Sequence, residues 1–171
     1  MPSNSILYSP YTLPCGKTVR NRLVKAAMEE NMSSYGCLPG ESLFSLYRYW
    51  AHGDLGMVIT GNVMVDKEAM TGPGGVVLEK DTPLAPFERW AKIIKSNGAL
   101  AVMQINHPGR QVFKAMQGKA IAPSAIPLDM GKHSKLFAEP REMTCQDIHA
   151  VCKRFVDTAK QAEKAGLDGA E

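Results

Sequence analysis

The sequence predicts an α/β fold, an eight-stranded βα barrel of the TIM type, of which it carries the N-terminal hairpin, three βα units and the start of strand four. Three observations predict it. Strand-like and helix-like segments alternate along the chain. The strand segments are apolar on consecutive residues, as in Leu55-Gly56-Met57-Val58-Ile59-Thr60, the pattern of a parallel sheet covered on both faces. Polar residues gather where strands stop, most densely in Gln104-Ile105-Asn106-His107-Pro108-Gly109-Arg110, and such clusters mark the functional end of a barrel. A doubly wound sheet shares the alternation. The first strand-to-helix connection, however, lacks the Gly-x-Gly-x-x-Gly fingerprint of dinucleotide-binding versions, and an N-terminal hairpin suits a plug under a barrel.

The elements follow in order. Tyr11-Thr12-Leu13, the turn Pro14-Cys15-Gly16-Lys17 and Thr18-Val19 predict the hairpin, and Leu23 to Met28 the first barrel strand. Ser42 is a candidate cap for a helix over Leu43 to His52, with Leu43, Leu46, Tyr47 and Trp50 on its apolar face and Gly53 as its stop. Leu55 to Thr60 is the second strand. The glycine-rich Gly72-Pro73-Gly74-Gly75 leads to a helix from about Leu84 to Asn97, with Phe87, Trp90, Ile93 and Ile94 inward and Gly98 closing it. Leu100 to Ile105 is the third strand. From Gln111 to Arg141, Pro123, Pro127 and Pro140 exclude a long regular element and predict an excursion able to shape a pocket. Thr144 with Asp147 resembles a capping box and opens a helix to about Ala165, with Ile148, Val151, Phe155, Ala159 and Ala162 as its predicted buried stripe. Gly166 ends it, and Leu167-Asp168-Gly169-Ala170-Glu171 begins strand four.

Composition narrows the function classes. With 44% hydrophobic and 22% charged residues the chain is ordinary globular material, and a net charge of +3 spread without basic blocks argues against nucleic acid as a partner. Met1-Pro2-Ser3-Asn4-Ser5 lacks the pattern of a leader, and no apolar run reaches membrane-spanning length, so a cytoplasmic protein without membrane association is expected. The 4 cysteines, Cys15, Cys37, Cys145 and Cys152, show no metal-site spacing; free thiols and no metal are expected, with Cys145 and Cys152 as small packing groups.

If the strands run parallel, their C-terminal ends place Ala26-Ala27-Met28-Glu29, Gly61-Asn62 and Gln104 through His107 around one rim. Small residues there let a flat ligand lie against backbone, and the Gln104 amide offers both a donor and an acceptor to a ring edge. Flavin presents such an edge; other heterocycles do too.

The combination of Leu13-Pro14 through Gly16, Asn21-Arg22-Leu23-Val24, Ala26-Ala27-Met28, Gly56 through Asn62 and Gln104 through Arg110 resembles the old yellow enzyme family of FMN-dependent ene-reductases and NADH:flavin oxidoreductases. The resemblance covers most of the chain, in order, and matches its N-terminal half only. It implies that residues 1–171 are the N-terminal part of a single FMN-binding barrel domain. FMN would be the cofactor, NADH or NADPH the hydride donor, and an alkene conjugated to a carbonyl the small-molecule acceptor.

Residue by residue, the resemblance implies that Ala26, Ala27 and Met28 lie along the flavin, that Asn62 contacts the ring, and that Gln104 pairs with its pyrimidine edge. Glu29 departs from the family, standing where many relatives carry Cys or Thr near a flavin carbonyl. A carboxylate there would oppose an anionic reduced ring and lower its potential. His107 and Arg110 brace the loop after strand three. The pair that holds the substrate carbonyl and the proton-donating Tyr are expected after Glu171, so no catalytic acid is assigned to Tyr8, Tyr11, Tyr35, Tyr47 or Tyr49. The chain alone is expected to be inactive. The alternatives are a non-catalytic fragment or interaction module, since half a barrel leaves strand edges uncovered, or another flavin or phosphate-ligand barrel dehydrogenase. Oligomeric state stays open, a homo-oligomer included.

Overall fold

The N-terminal hairpin forms as read: β1 (Tyr11–Thr12) and β2 (Thr18–Val19) pair antiparallel in the computed structural model, which describes residues 5–171. The reading of Met1 to Asn4 as free of a leader pattern lies outside the described residues. β3 (Val24–Lys25) is then followed by α1 (Glu41–Ala51), β4 (Met57–Ile59), the short strands β5 (Val63–Met64) and β6 (Val76–Val77), and α2 (Ala85–Lys95). β7 (Leu100–Met103) and β8 (Ile105–Asn106) lead into the excursion, which holds β9 (Ile121–Ala122) and β10 (Arg141–Glu142); α3 (Cys145–Lys164) and β11 (Gly169–Ala170) complete the described chain.

Four of these strands form one sheet in the order β11-β7-β4-β3, and every pairing in it is parallel. Val24 stands opposite Met57, and Met57 opposite Leu100; Lys25, Val58 and Ala101 form the next row. Residues in a row share a face. The Lys25, Val58 and Ala101 row is buried under α1 and α2, whereas Val24, Met57 and Leu100 turn to the barrel interior and stay at least partly exposed. This explains the consecutive apolar runs: both faces of each strand are core positions, one against helices and one toward the barrel axis.

The helices are where the periodicity put them, with one difference at their starts. Gly40, not Ser42, caps α1, without a side-chain bond, and its buried face is Leu43, Phe44, Tyr47 and Ala51. α2 carries Pro86 in its first turn, where a missing N–H costs no helical bond, and buries Phe87, Trp90, Ala91 and Ile94. Tyr47 meets Trp90 edge-on at a 5.0 Å centroid distance, locking α1 to α2. Gly98 and Gly166 adopt φ +80° and +86°, the left-handed geometry that ends the preceding helices.

α3 has the predicted capping box, the Thr144 hydroxyl accepting from the Asp147 N–H and the Asp147 carboxylate accepting from the Thr144 N–H. Arg141 and then the Thr144 contacts hold the Asp147 carboxyl well below the usual carboxylate range. Only part of its buried face is the predicted stripe: Ala162 is buried, and Val151, Phe155 and Ala159 are half-buried. Thr158, Gln161 and Ala162 are buried while Ile148 is 46% exposed. The helix seats on backbone carbonyls: the Thr158 hydroxyl donates to Leu78 O at 2.6 Å, and the Gln161 amide donates to Lys80 O. All four cysteines are free thiols, but Cys15, Cys145 and Cys152 are exposed, so the packing role expected for Cys145 and Cys152 is corrected.

Strands two and three do not end where the apolar runs end. The ladder of the main sheet closes with Thr60 N–H donating to Val102 O (2.9 Å); the chain then kinks, Gln104 N–H donates to the Thr60 hydroxyl (3.1 Å), and pairing resumes when Val63 N–H donates to Gln104 O (2.9 Å). Beyond the kink β5, β6 and β8 form a second, three-stranded parallel sheet. The excursion is clasped rather than loose: β9 pairs with β10, Phe113 stacks on Phe137 at 4.8 Å, and Arg110 donates to the Ile126 and Pro127 carbonyls at 3.2 and 3.4 Å. Arg110 thus braces the excursion, as expected.

Candidate functional site

Because β3, β4, β7 and β11 run parallel in register, the residues that follow them emerge on one rim. Ala26 and Met28 are exposed there, Ala27 and Asn62 half-buried, and Gln104 half-buried at the kink of strand three. The first two exits touch. A methyl group placed on Gly61 would fall 2.2 Å from the Met28 carbonyl oxygen and 2.1 Å from Glu30 Oε2, so only glycine admits this approach. The third and fourth exits also touch: the Gln104 amide donates to the Glu171 carboxylate at 3.2 Å, and Ile105 N–H donates to Glu171 O at 3.0 Å. Thr60, fully buried, ties the second exit to the third.

Glu29 is exposed, and its carboxylate accepts a hydrogen bond from the Thr71 hydroxyl, which fastens the first exit to the loop before Gly72-Pro73-Gly74-Gly75. His107 follows β8 and bonds within its own loop. Its Nδ1 accepts the Gly109 N–H at 3.1 Å, its Nε2 is buried without a protein partner, and burial pulls its pKa down despite the opposing charge of Asp66. The imidazole is therefore held neutral in the loop, a structural placement matching the expectation.

Sequence reasoning missed a second layer. Lys25, Glu30 and Tyr47 meet directly behind the rim. Lys25 Nζ donates to Ile59 O at 2.9 Å, lies 3.7 Å from Glu30 Oε1, and sits over the Trp50 ring at 4.4 Å. The Tyr47 hydroxyl donates to the Glu30 carboxylate, and Gly61 N–H reaches Glu30 Oε1 at 3.2 Å. Burial pulls the Lys25 ammonium down against the charge of Glu30 and pushes the Tyr47 phenol far up, Glu30 adding to the shift. One signal was available: a lysine inside an apolar strand must find a partner when both faces of that strand are covered.

Residues 6–171 match the model of the NADH:flavin oxidoreductase / NADH oxidase family. The chain belongs to this family. Among its relatives, the chain is 37% identical over 178 residues to the NADH-dependent flavin oxidoreductase iliE of Hypocrea jecorina (strain QM6a), covering 95% of this chain and 44% of that protein. It is 30% identical over 173 residues to the NADPH dehydrogenase of Geobacillus thermodenitrificans (strain NG80-2), covering 96% and 46%. The old yellow enzyme from Pichia sp. AKU4542 superposes with a TM-score of 0.85 at 23% identity, over 97% of this chain and 45% of that one. The fold of this NADH:flavin oxidoreductase family member is accordingly that of the (β/α)8 old yellow enzyme barrels, seen here over its first half. The chain spans less than half the length of the curated relatives it matches. FMN and a nicotinamide are the cofactors of the family, whose members are oxidoreductases acting on small molecules. Among the described residues no helix is long and apolar enough to cross a membrane.

Proposed function

We propose that this chain supplies the flavin-facing N-terminal part, residues 1–171, of a single FMN-binding barrel domain that takes hydride from NADH or NADPH and reduces an alkene conjugated to a carbonyl or similar group. The observation that carries the reading is the convergence of the Ala26–Glu29 backbone, Gly61-Asn62 and Gln104 on one rim, with Met28 O packed against Gly61. Those residues fit a planar heterocycle. Ala26, Ala27 and Gly61 project too little to hold a ring away from the backbone, Asn62 stands at its margin, and Gln104 offers an amide to its pyrimidine edge. When bound, FMN supplies the hydride chemistry, accepting two electrons from the nicotinamide and delivering them to the alkene β-carbon.

The chain's own residues orient and tune. A main-chain N–H in Ala26–Met28 favours negative charge on the reduced ring, and Glu29, close by, opposes it. Tyr47, the most deeply buried of the five tyrosines, donates to Glu30 and is no proton donor for substrate. No residue of 1–171 is assigned to holding the substrate or protonating it. A cytosolic location, with no nucleic acid or membrane partner, completes the reading, and a homo-oligomer is compatible with it.

The test is the visible spectrum of the purified protein with added FMN. The expected result is a bound-flavin band bleached anaerobically by NADH or NADPH. A protein that stays colourless and leaves FMN fluorescence unquenched overturns the reading in favour of a non-catalytic fragment.

A further inference from the structure

Two charged residues flank the four rim residues Ala26–Glu29, Lys25 before them and Glu30 after, and both turn their side chains off the rim toward α1, leaving them 6% and 7% exposed. A buried ion pair is weak evidence of stability, because desolvating two charges offsets most of their attraction and apolar replacements often serve as well. What this pair does hold is backbone. Lys25 takes the Ile59 carbonyl and Glu30 the Gly61 N–H, the two strand-two groups on either side of Thr60, where the main ladder stops. Tyr47, anchored in α1 between Trp50 and Trp90, fixes Glu30 from the helix layer and also receives the Gly61 N–H at 3.0 Å. The rim segment is therefore gripped at both its ends by a unit that grips the neighbouring exit as well.

We infer that Lys25, Glu30 and Tyr47 form one buried positioning unit, which sets the placement of the Ala26–Glu29 backbone against Gly61 and through it the affinity and potential of the bound flavin. The inference rests on the flavin reading of the rim. None of the three reaches the rim surface, so they act through the backbone they hold, as supporting residues do behind a metal or catalytic group.

The experiment compares Tyr47→Phe, Glu30→Gln and the double variant Lys25→Met/Glu30→Gln in the full chain, with two readouts. One is the FMN dissociation constant from quenching of flavin fluorescence, together with the potential of the bound flavin. The other, taken without flavin, is hydrogen exchange of the amides of residues 26–31 and 61. Glu30→Gln alone leaves Lys25 buried without its counter-charge and is expected to lose most of its folded population. The double variant removes both charges and is expected to keep its thermal midpoint, while FMN binding weakens about tenfold or more, the scale typical of lost supporting contacts, the flavin potential shifts, and exchange at 26–31 accelerates. Tyr47→Phe, which keeps the ring and both charges, is expected to move the same readouts less, and it carries the test should the double variant fail to fold. A folded variant with unchanged exchange at 26–31, unchanged FMN affinity and unchanged potential overturns the inference. If the parent chain binds no FMN, the flavin reading fails by itself; exchange then judges the positioning unit alone, acceleration supporting it and no change overturning it.

Discussion

The two ends of the sheet use polar residues in opposite ways. At the N-terminal end they are consumed by the fold. Asn21 is buried, donating its amide to Asp54 O at 2.9 Å and accepting the Leu23 N–H at 3.0 Å, while Arg20 pairs with Asp54 at 2.9 Å and Arg22 lies over the Tyr11 ring at 4.8 Å. Asp168, at the foot of strand four, accepts the Ala101 N–H at 3.0 Å and pairs with Lys17 of the hairpin and Lys95 of α2 at 2.9 and 3.3 Å. The Lys17 pair ties the hairpin to the foot of strand four. At the C-terminal end the rim shows small side chains and backbone beside the exposed Met28, and its charges are turned inward, as Lys25 and Glu30 are, held to a neighbouring loop, as Glu29 is, or bonded to a rim amide, as Glu171 is to Gln104. A motif such as Asn21-Arg22 and a segment such as Ala26–Glu29 are four residues apart in sequence yet do different work, because one enters a strand and the other leaves it.

The comparison breaks most sharply at Gly61. Gly61→Ala drives a methyl group into Met28 O and the Glu30 carboxylate, and is expected to cost about 2–3 kcal/mol of stability, the overpacking scale, and to abolish FMN binding at the same time. Urea denaturation and flavin fluorescence measure the two; full FMN affinity in Gly61→Ala would separate the two strand exits and undo the rim. At the opposite end, Asp168→Asn is expected to lose about 1–2 kcal/mol through weakened charged hydrogen bonds with FMN affinity intact.

The pH dependence of that loss has a fixed sign. Burial pushes the Asp168 carboxyl up, but the Ala101 N–H and the Lys17 and Lys95 charges outweigh it, and the net shift is downward. The contribution is therefore complete above the unfolded carboxyl value of about 3.9 and fades as pH falls through the lower folded value. Thermal melts of parent and Asp168→Asn should differ at pH 7 and converge in that acid window; a gap independent of pH would remove Asp168's charge from the clamp. The smallest expected effect on stability belongs to Glu29→Thr, which should leave the melting midpoint in place and raise the flavin potential by on the order of 30 mV, the two-electron equivalent of a tenfold change in relative affinity. An unmoved potential would mean that the carboxylate serves Thr71 and the loop alone.

The strand and helix order was legible because each element carries its own period: Phe87, Trp90, Ala91 and Ile94 sit on one side of α2 at helical spacing, and the runs of β4 and β7 are apolar on both faces. The rim residues were legible for a related reason, since polar or small groups at the ends of such runs stand out. The α3 stripe was only partly legible, Ala162 being buried and Ile148 exposed, because part of the helix's seat is built from the Leu78 and Lys80 carbonyls, which a count of apolar residues does not register. The second sheet was missed because Gly61-Asn62 reads as a strand end, and the pairing is carried past the kink by a side chain, the Thr60 hydroxyl taking the Gln104 N–H before Val63 N–H reaches Gln104 O.

By itself, then, the sequence determined the parallel βα order, the capped start of α3 and the candidates on the rim, all of which depend on residues close together in the chain. Tertiary structure alone decided that Lys25, Glu30 and Tyr47 share one buried site, that Lys17 and Asp168 meet across 151 positions, and that Gly61 lies against Met28. The physical reason is that a charge or hydroxyl declares a need for a partner but not its address. The partner is chosen by which backbones the sheet register and the helix packing bring within reach.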